Sequence, residues 1–132
     1  MTSKSFIFSL SLLVAGAAVQ AADVDVSKLP PASTKTGLTY AKDIKPIFEK
    51  TCFKCHGAEK QKGKLRLDNL AAALKGGEDG PDIVAGNSAK SKLVHSVARL
   101  NEDEAMPPAD KGKPLSKDEV GLIRAWIDQG AK

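Results

Sequence analysis

The stretch Cys52-Phe53-Lys54-Cys55-His56 decides how the rest of the chain is interpreted. It has the form C-x-x-C-H, the spacing used for covalent attachment of a c-type haem. Two thiols at this spacing add to the two vinyl groups of the haem and become thioethers. The next residue, His56, is then held against the ring, where an imidazole nitrogen can bind the iron. We therefore predict one covalent haem c, attached at Cys52 and Cys55, with His56 as the proximal iron ligand.

Two cysteines at this spacing also occur in disulfides, in thioredoxin-like redox centres and in zinc sites. Zinc normally takes four ligands, and the chain contains only 2 Cys and 2 His. A thioredoxin-like centre belongs to a βαβ pattern, which the surrounding sequence does not show. Gly57 follows the motif, and without a Cβ it would let the chain turn away from a haem ring. Haem attachment is therefore the favoured interpretation.

The first residues have the features of an export signal. Lys4 gives a positive start, residues 6–19 are apolar, and Ala21 is the small residue after which we expect cleavage. The apolar stretch is shorter than the roughly 20 residues of a spanning helix. We expect no stable membrane insertion unless the signal stays uncleaved, and a periplasmic or otherwise exported protein. The predicted division is a signal peptide over residues 1–21, a flexible leader over 22–37 and one domain over 38–132.

The domain sequence predicts short helices and no strand, so the expected fold class is all-α. Asp43 is expected to cap a first helix that runs into Cys52, with Ile44, Ile47 and Phe48 on one face. Asp68 is expected to cap a second helix over residues 69–75, which the pair Gly76-Gly77 stops.

Two further helices are expected beyond these. One begins at Asn87 or Ser88 and runs to about residue 100, with an apolar side that includes Leu93 and Val97. A loop over residues 101–114 follows. The residues from Ser116 to Glu119 form a capping box that starts the last helix, expected to reach about residue 129.

Met106 is the predicted distal iron ligand. If Met1 is removed with the signal, Met106 carries the only thioether of the mature chain, and two prolines stiffen the loop directly after it. The competing interpretation is an ordinary core methionine. His95 is the rival ligand, and it would give a lower-potential centre. It falls on the polar side of its own helix, so we expect a surface histidine.

In its order of motifs the chain resembles a class I c-type cytochrome, and more specifically the planctomycete-type cytochrome c domain. The resemblance covers residues 40–131 and is carried by the segments 43–48, 52–57, 63–68, 73–77, 106–108 and 115–131. It implies a small helical fold around one haem, in which the first and last helices cross. Contact between the Ile47 and Phe48 face and Trp126 would follow from that crossing.

The resemblance and the ligand pair together predict an electron carrier and not an enzyme, cycling its iron with both axial positions filled. Arg66 and Trp126 are candidate donors to the haem propionates, although each could equally be a surface or core residue. The alternative function is an enzyme or a gas or redox sensor with an open or labile distal site. A haem-free thiol–disulfide enzyme and a haem-bearing adaptor module are the other rivals.

The distribution of charged residues along the sequence indicates what kind of partner the protein could bind. The formal net charge is +4, and residues 42–66 hold eight basic residues against three acidic ones. Residues 102–110 hold four acids and no base. We expect a monomer that meets redox proteins, acidic ones among them, although a simply solvated surface explains the same pattern. Nucleic acid is not expected, since no binding motif is present. The aromatic content of 5% indicates a thin core that a buried haem would complete.

Overall fold

The computed structural model describes residues 24–132, so the predicted signal peptide lies outside the described residues. Residues 24–132 form helices and turns without a β-strand, which confirms the all-α prediction. Single 3₁₀ turns separate the longer elements. The four α-helices are α1 (Lys45–Thr51), α2 (Leu70–Lys75), α3 (Lys92–Val97) and α4 (Lys117–Asp128).

The first helical segment begins earlier than predicted, and Asp43 is not its cap. A π-helical turn, Tyr40–Ile44, leads directly into α1. Thr39 caps that turn, since its side chain accepts from the Lys42 N–H. Asp43 lies within the turn and reaches back, and its Oδ2 accepts from the Thr39 N–H at 2.9 Å. Each of the two side chains thus accepts a hydrogen bond from a backbone N–H at the start of the turn, as in a capping box.

Pro46 accounts for the wide winding of this turn. Its ring nitrogen has no hydrogen, and its ring would clash with the carbonyl four residues earlier in a regular α-helix. The Lys45 N–H instead bonds to the Tyr40 oxygen, five residues back. Ile44, Ile47 and Phe48 are all buried, so the predicted apolar face of α1 is confirmed.

The cap of α2 is Asn69 and not Asp68. The Asn69 side chain accepts from the Ala72 N–H at 2.8 Å. Asp68 instead accepts two hydrogen bonds from the guanidinium of Arg66, at 2.6 and 2.9 Å. A charged partner two residues away therefore outcompetes the helix end for this carboxylate. Gly76, with φ 83°, ends the helix where the sequence predicted.

The third predicted helix is divided into two parts. A 3₁₀ turn, Ser88–Lys90, is capped by Asn87, and α3 follows from Lys92. Ser91 separates them because its backbone is extended and its side chain forms two hydrogen bonds. Its hydroxyl accepts from the Val84 N–H and donates to the Asn87 carbonyl, both at 2.9 Å. The helix is therefore shorter than its apolar pattern suggested.

The last helix follows the prediction closely. Ser116 Oγ accepts from the Glu119 N–H at 3.1 Å, and Glu119 Oε2 accepts from the Ser116 N–H at 2.8 Å, which confirms the capping box. The apolar face of α4 is buried, including Ile123 and Trp126 at 0% exposure. The helix ends at Asp128, and Gly130 follows with φ 104°.

Three aromatic rings join the two ends of the domain. Trp126 of α4 packs edge to face against Phe48 of α1, with ring centroids 6.5 Å apart. The ring centroid of Tyr40 lies 6.2 Å from that of Trp126. This confirms the predicted contact between the first and last helices. The backbone oxygen of Lys132 accepts from Trp126 Nε1 at 2.9 Å and from the Tyr40 N–H at 2.7 Å. The Tyr40 hydroxyl donates to the carbonyl of Leu67 at 2.7 Å.

The segment predicted to be a flexible leader lies against α4. The Ser33 N–H donates to the Gly121 carbonyl at 2.9 Å, and Arg124 donates to the carbonyl of Pro30. A Cβ added at Gly121 would lie only 2.8 Å from the Pro31 oxygen. Glycine is therefore needed in the middle of α4, because the leader backbone passes directly over it. The sequence did not predict these contacts.

Candidate haem site

The attachment motif forms a compact turn at the end of α1. The N–H groups of Cys55 and His56 both donate to the Cys52 carbonyl, at 3.1 and 2.9 Å. This turn carries the chain through the motif without leaving the end of the helix. Both cysteines are half-buried free thiols.

Glycine is required at position 57 by the backbone of the motif itself, whereas the sequence suggested that it leaves room for a haem ring. Gly57 is buried, and a Cβ at this position would lie 2.4 Å from the carbonyl oxygen of Phe53. The chain then doubles back: the Gly57 N–H donates to Lys60 O at 2.8 Å, and the Lys62 N–H donates to Cys55 O at 2.9 Å. The close turn keeps the motif and the following lysines together.

The motif opens onto a cavity that is partly open to solvent. Cys52, His56 and Met106 all line it, so the structure brings one predicted thioether residue and both predicted axial ligands to a single space. Its walls are mainly apolar, as expected for a site that holds a large flat ligand. The apolar wall residues are Phe48, Leu65, Leu67, Leu93 and Val97.

The ring of His56 fits a metal-binding role. Its Nδ1 atom is buried and is the one buried side-chain nitrogen or oxygen of residues 24–132 that lacks a hydrogen-bond partner. Buried polar atoms are rarely left unpaired, and such an atom calls for an explanation such as a bound ion or group. The residues present therefore fit a haem held through a thioether at Cys52 and a nitrogen of His56.

The Cys52 thiol lacks the character of a redox-active cysteine. Burial raises its pKa to about 12, and the neighbouring Cys55 adds to the rise. Reactive cysteines of thiol–disulfide enzymes have lowered pKa values, because the thiolate is the nucleophile. The structure therefore does not support the thioredoxin-like alternative. Cys55 itself is not part of the cavity lining and lies one turn away.

Met106 lines the cavity and His95 does not, but His95 is half-buried where the sequence predicted a surface histidine. Met106 lies at the cavity with its side chain 38% exposed, and its N–H donates to the Ser96 carbonyl at 3.0 Å. His95 does not line the cavity. Its Nε2 lies 2.6 Å from the carbonyl oxygen of Ala89, so its ring has a partner within its own segment.

The two candidate propionate donors are not brought to the cavity. Arg66 is engaged by Asp68, and that hydrogen bond holds the pKa of the Asp68 carboxyl below its usual range. Trp126 is fully buried, and its N–H is used by the Lys132 oxygen. The cations that line the cavity are Lys62 and Lys92.

The cavity has a polar rim that the sequence does not predict. The sequence indicates only a helix stop at residues 76–77, yet Gly77 lines the cavity, and a Cβ there would lie 2.6 Å from the Gly63 oxygen. No local pattern marks these residues, because they come from separate loops. The polar and glycine residues of the rim are Lys62, Gly63, Gly77, Glu78, Asp79, Asp82, Lys92 and Ser96.

A cavity shared by Cys52, His56 and Met106 is the arrangement expected of one protein family. Residues 52–110 match the family of planctomycete cytochrome C. The match confirms the predicted resemblance, and it runs from the first motif cysteine to just beyond Met106. A cytochrome c domain implies covalently bound haem c and a haem-binding role in electron transfer.

The other comparisons return nothing: neither the curated proteins nor the solved structures hold a significant match to this chain. Within residues 24–132, no helix has both the length and the apolar character that a membrane crossing needs.

Proposed function

We propose that this protein is a single-haem c-type cytochrome that carries electrons between redox partners outside the cytoplasmic membrane. Cys52 and Cys55 hold the haem through thioethers, His56 is the proximal ligand and Met106 the distal one. The observation that carries the proposal is that Cys52, His56 and Met106 line one mainly apolar cavity.

Bound haem c would supply one-electron exchange between ferric and ferrous iron. The chain's own residues bind it, orient it and exclude water. Phe48 and Val97 are buried at the cavity wall. A thioether ligand from Met106 would favour a high potential, and the apolar wall would add to that preference. No residue is asked to act as an acid, a base or a nucleophile.

We also propose that four lysines guide an acidic redox partner to the attachment segment. Lys54, Lys60, Lys62 and Lys64 are exposed, and none forms a salt bridge with another described residue. The turn after Gly57 keeps them beside the motif. Clustered like charges around a site raise association rates with a partner of opposite charge. We call these four residues the docking lysines.

The test of the proposal is an optical and redox titration of protein expressed with its signal in an export-competent host. We expect a Soret band that stays with the polypeptide after acid–acetone extraction and on a denaturing gel. The iron should titrate as one single-electron couple, with one haem per chain. Haem that is extracted by acid–acetone would contradict covalent attachment, and more than one couple would contradict a single haem.

The open-site alternative makes a different prediction. If Met106 does not bind the iron, the ferrous protein should bind carbon monoxide as fast as mixing allows, and the ferric protein should lack the weak far-red charge-transfer band of a methionine–iron bond. That result would favour a sensor or an enzyme. A slow or absent reaction with carbon monoxide supports the carrier.

A further inference from the structure

The loop that carries Met106 is fixed to the end of α3 on both sides of the methionine. Before the side chain, the Met106 N–H donates to the Ser96 carbonyl at 3.0 Å. After it, the guanidinium of Arg99 donates through Nη1 to the Pro107 carbonyl, also at 3.0 Å. Met106 itself is 38% exposed, although the preceding Ala105 is buried. From Met106 onward, these two hydrogen bonds hold the loop beside the end of α3.

Arg99 stands where a glycine is usually found. It follows the C-cap of α3 with φ 56°, in the left-handed region. The Arg99 N–H donates to Ser96 O and the Leu100 N–H to His95 O, both at 3.1 Å, which is the hydrogen-bond pattern of a Schellman motif. Glycine is strongly preferred at this position because a Cβ is disfavoured there. An arginine at a strained position suggests that its side chain is needed.

The side chain is held between two acceptors. It is 20% exposed, and besides the Pro107 carbonyl it contacts Glu102 Oε2 at 2.8 Å. Glu102 itself is 75% exposed, so the ion pair is a surface pair that orients the guanidinium more than it stabilises the fold. The bond to Pro107 is the one that reaches the methionine loop.

We propose that Arg99 is a positioning residue for Met106: by fixing the backbone after the methionine, it holds the thioether at the cavity and limits its replacement by other ligands. The inference rests on the proposed function, in which Met106 binds the iron. A thioether is a neutral ligand that imidazole and cyanide can displace from ferric iron. Losing one charge-assisted hydrogen bond from its support should speed that displacement by about tenfold.

The test compares Arg99→Gly with the wild-type holoprotein. Glycine relieves the backbone strain, so a merely structural role predicts unchanged or higher thermal stability and an unchanged spectrum. The positioning role predicts a weaker far-red band and imidazole binding about tenfold faster. Ala131→Gly is the matched control. Ala131 also has a left-handed φ, of 54°, and does not line the cavity, so its variant should keep the band and the binding rate.

The outcomes separate this inference from the proposed function. If the wild-type protein lacks the far-red band, Met106 does not bind the iron. That result would overturn both the proposed ligand and this inference. A wild-type band that Arg99→Gly leaves unchanged, with an unchanged imidazole rate, overturns the inference alone. If Arg99→Gly fails to fold, Arg99→Gln keeps a side chain without the charge, and the same two measurements decide the question.

Discussion

At the scale of single residues, the proposed function makes the redox properties depend on the side chain of Met106. Replacing it with alanine should abolish the far-red band and open the ferrous iron to carbon monoxide. Met106→His should keep the iron six-coordinate but lower its potential, because imidazole favours ferric iron more than a thioether does. Visible spectra and potentiometry of the two variants check this.

His95→Ala is the control for that experiment. Its ring is already engaged by the Ala89 carbonyl and does not line the cavity, so the variant should keep both band and potential. Loss of six-coordination in His95→Ala, with none in Met106→Ala, would show a bis-histidine centre instead.

Ionisation of Tyr40 should lower the free energy of unfolding as the pH rises into the alkaline range. Burial raises the pKa of its hydroxyl to about 12 from an ordinary 10.0, and the charge of Asp68 adds to this. The unfolded chain therefore ionises first, and the contribution of this residue is complete below pH 10 and is lost between about pH 10 and 12. Tyr40→Phe removes the hydrogen bond to Leu67 and should cost about 1 kcal/mol below pH 10.

Denaturant unfolding of both proteins between pH 8 and pH 12 measures this effect. The gap in the free energy of unfolding between wild type and Tyr40→Phe should shrink as the pH rises through this range. A gap that stays constant would contradict the assigned shift.

The features that the structure confirms are those set within about one turn of the chain. The spacing of the motif places Cys52 and His56 together at the cavity, and the capping box at Ser116 involves only four residues. The cap of α2 was assigned to the wrong residue because two neighbours compete for partners: the carboxylate of Asp68 prefers the charge of Arg66. The polar rim and the contact of Arg99 with the Met106 loop could not be predicted, because they join segments that no local pattern connects.

At the scale of elements, the contact between the leader and α4 reverses an ordinary expectation. Exchanging a glycine inside a helix for alanine normally stabilises it by up to about 1 kcal/mol. Gly121→Ala should instead destabilise the protein by about 1–3 kcal/mol, because the new methyl would lie 2.8 Å from the Pro31 oxygen. Thermal or denaturant unfolding measures the sign.

A deletion supplies the control for Gly121→Ala. In a chain whose residues 1–21 are joined directly to residue 36, the leader no longer crosses α4, and the same substitution should become stabilising. An equal effect of Gly121→Ala with and without residues 22–35 would show that the leader does not press on the helix.

At the scale of the whole molecule, the docking lysines predict a salt-dependent reaction. Exposed charges are screened beyond about 8–10 Å at physiological ionic strength. Electron transfer to an acidic partner should therefore slow as salt is added, and charge reversal at Lys60 and Lys64 should slow association further. Stopped-flow kinetics over a range of salt concentrations provide the measurement.

Lys75 and Lys90 supply a matched pair for that experiment. Both are exposed lysines outside the cavity lining and away from the motif in sequence, so reversing their charge changes the net charge equally. They should affect the rate much less than the docking lysines do. Electron-transfer rates that do not change with ionic strength would exclude electrostatic docking by these lysines. Charge reversal at the exposed acids of residues 102–104 would then be tested in the same way.

The hydrogen bonds received by Lys132 hold the segment after α4 against the first helical segment. Two buried donors, the indole of Trp126 and the backbone of Tyr40, share its backbone oxygen. Without Lys132, both donors would lose this partner inside the aromatic cluster. A chain cut before Lys132 should therefore unfold at a lower denaturant concentration than a chain that keeps it, because the contact between α4 and the first helix is weakened.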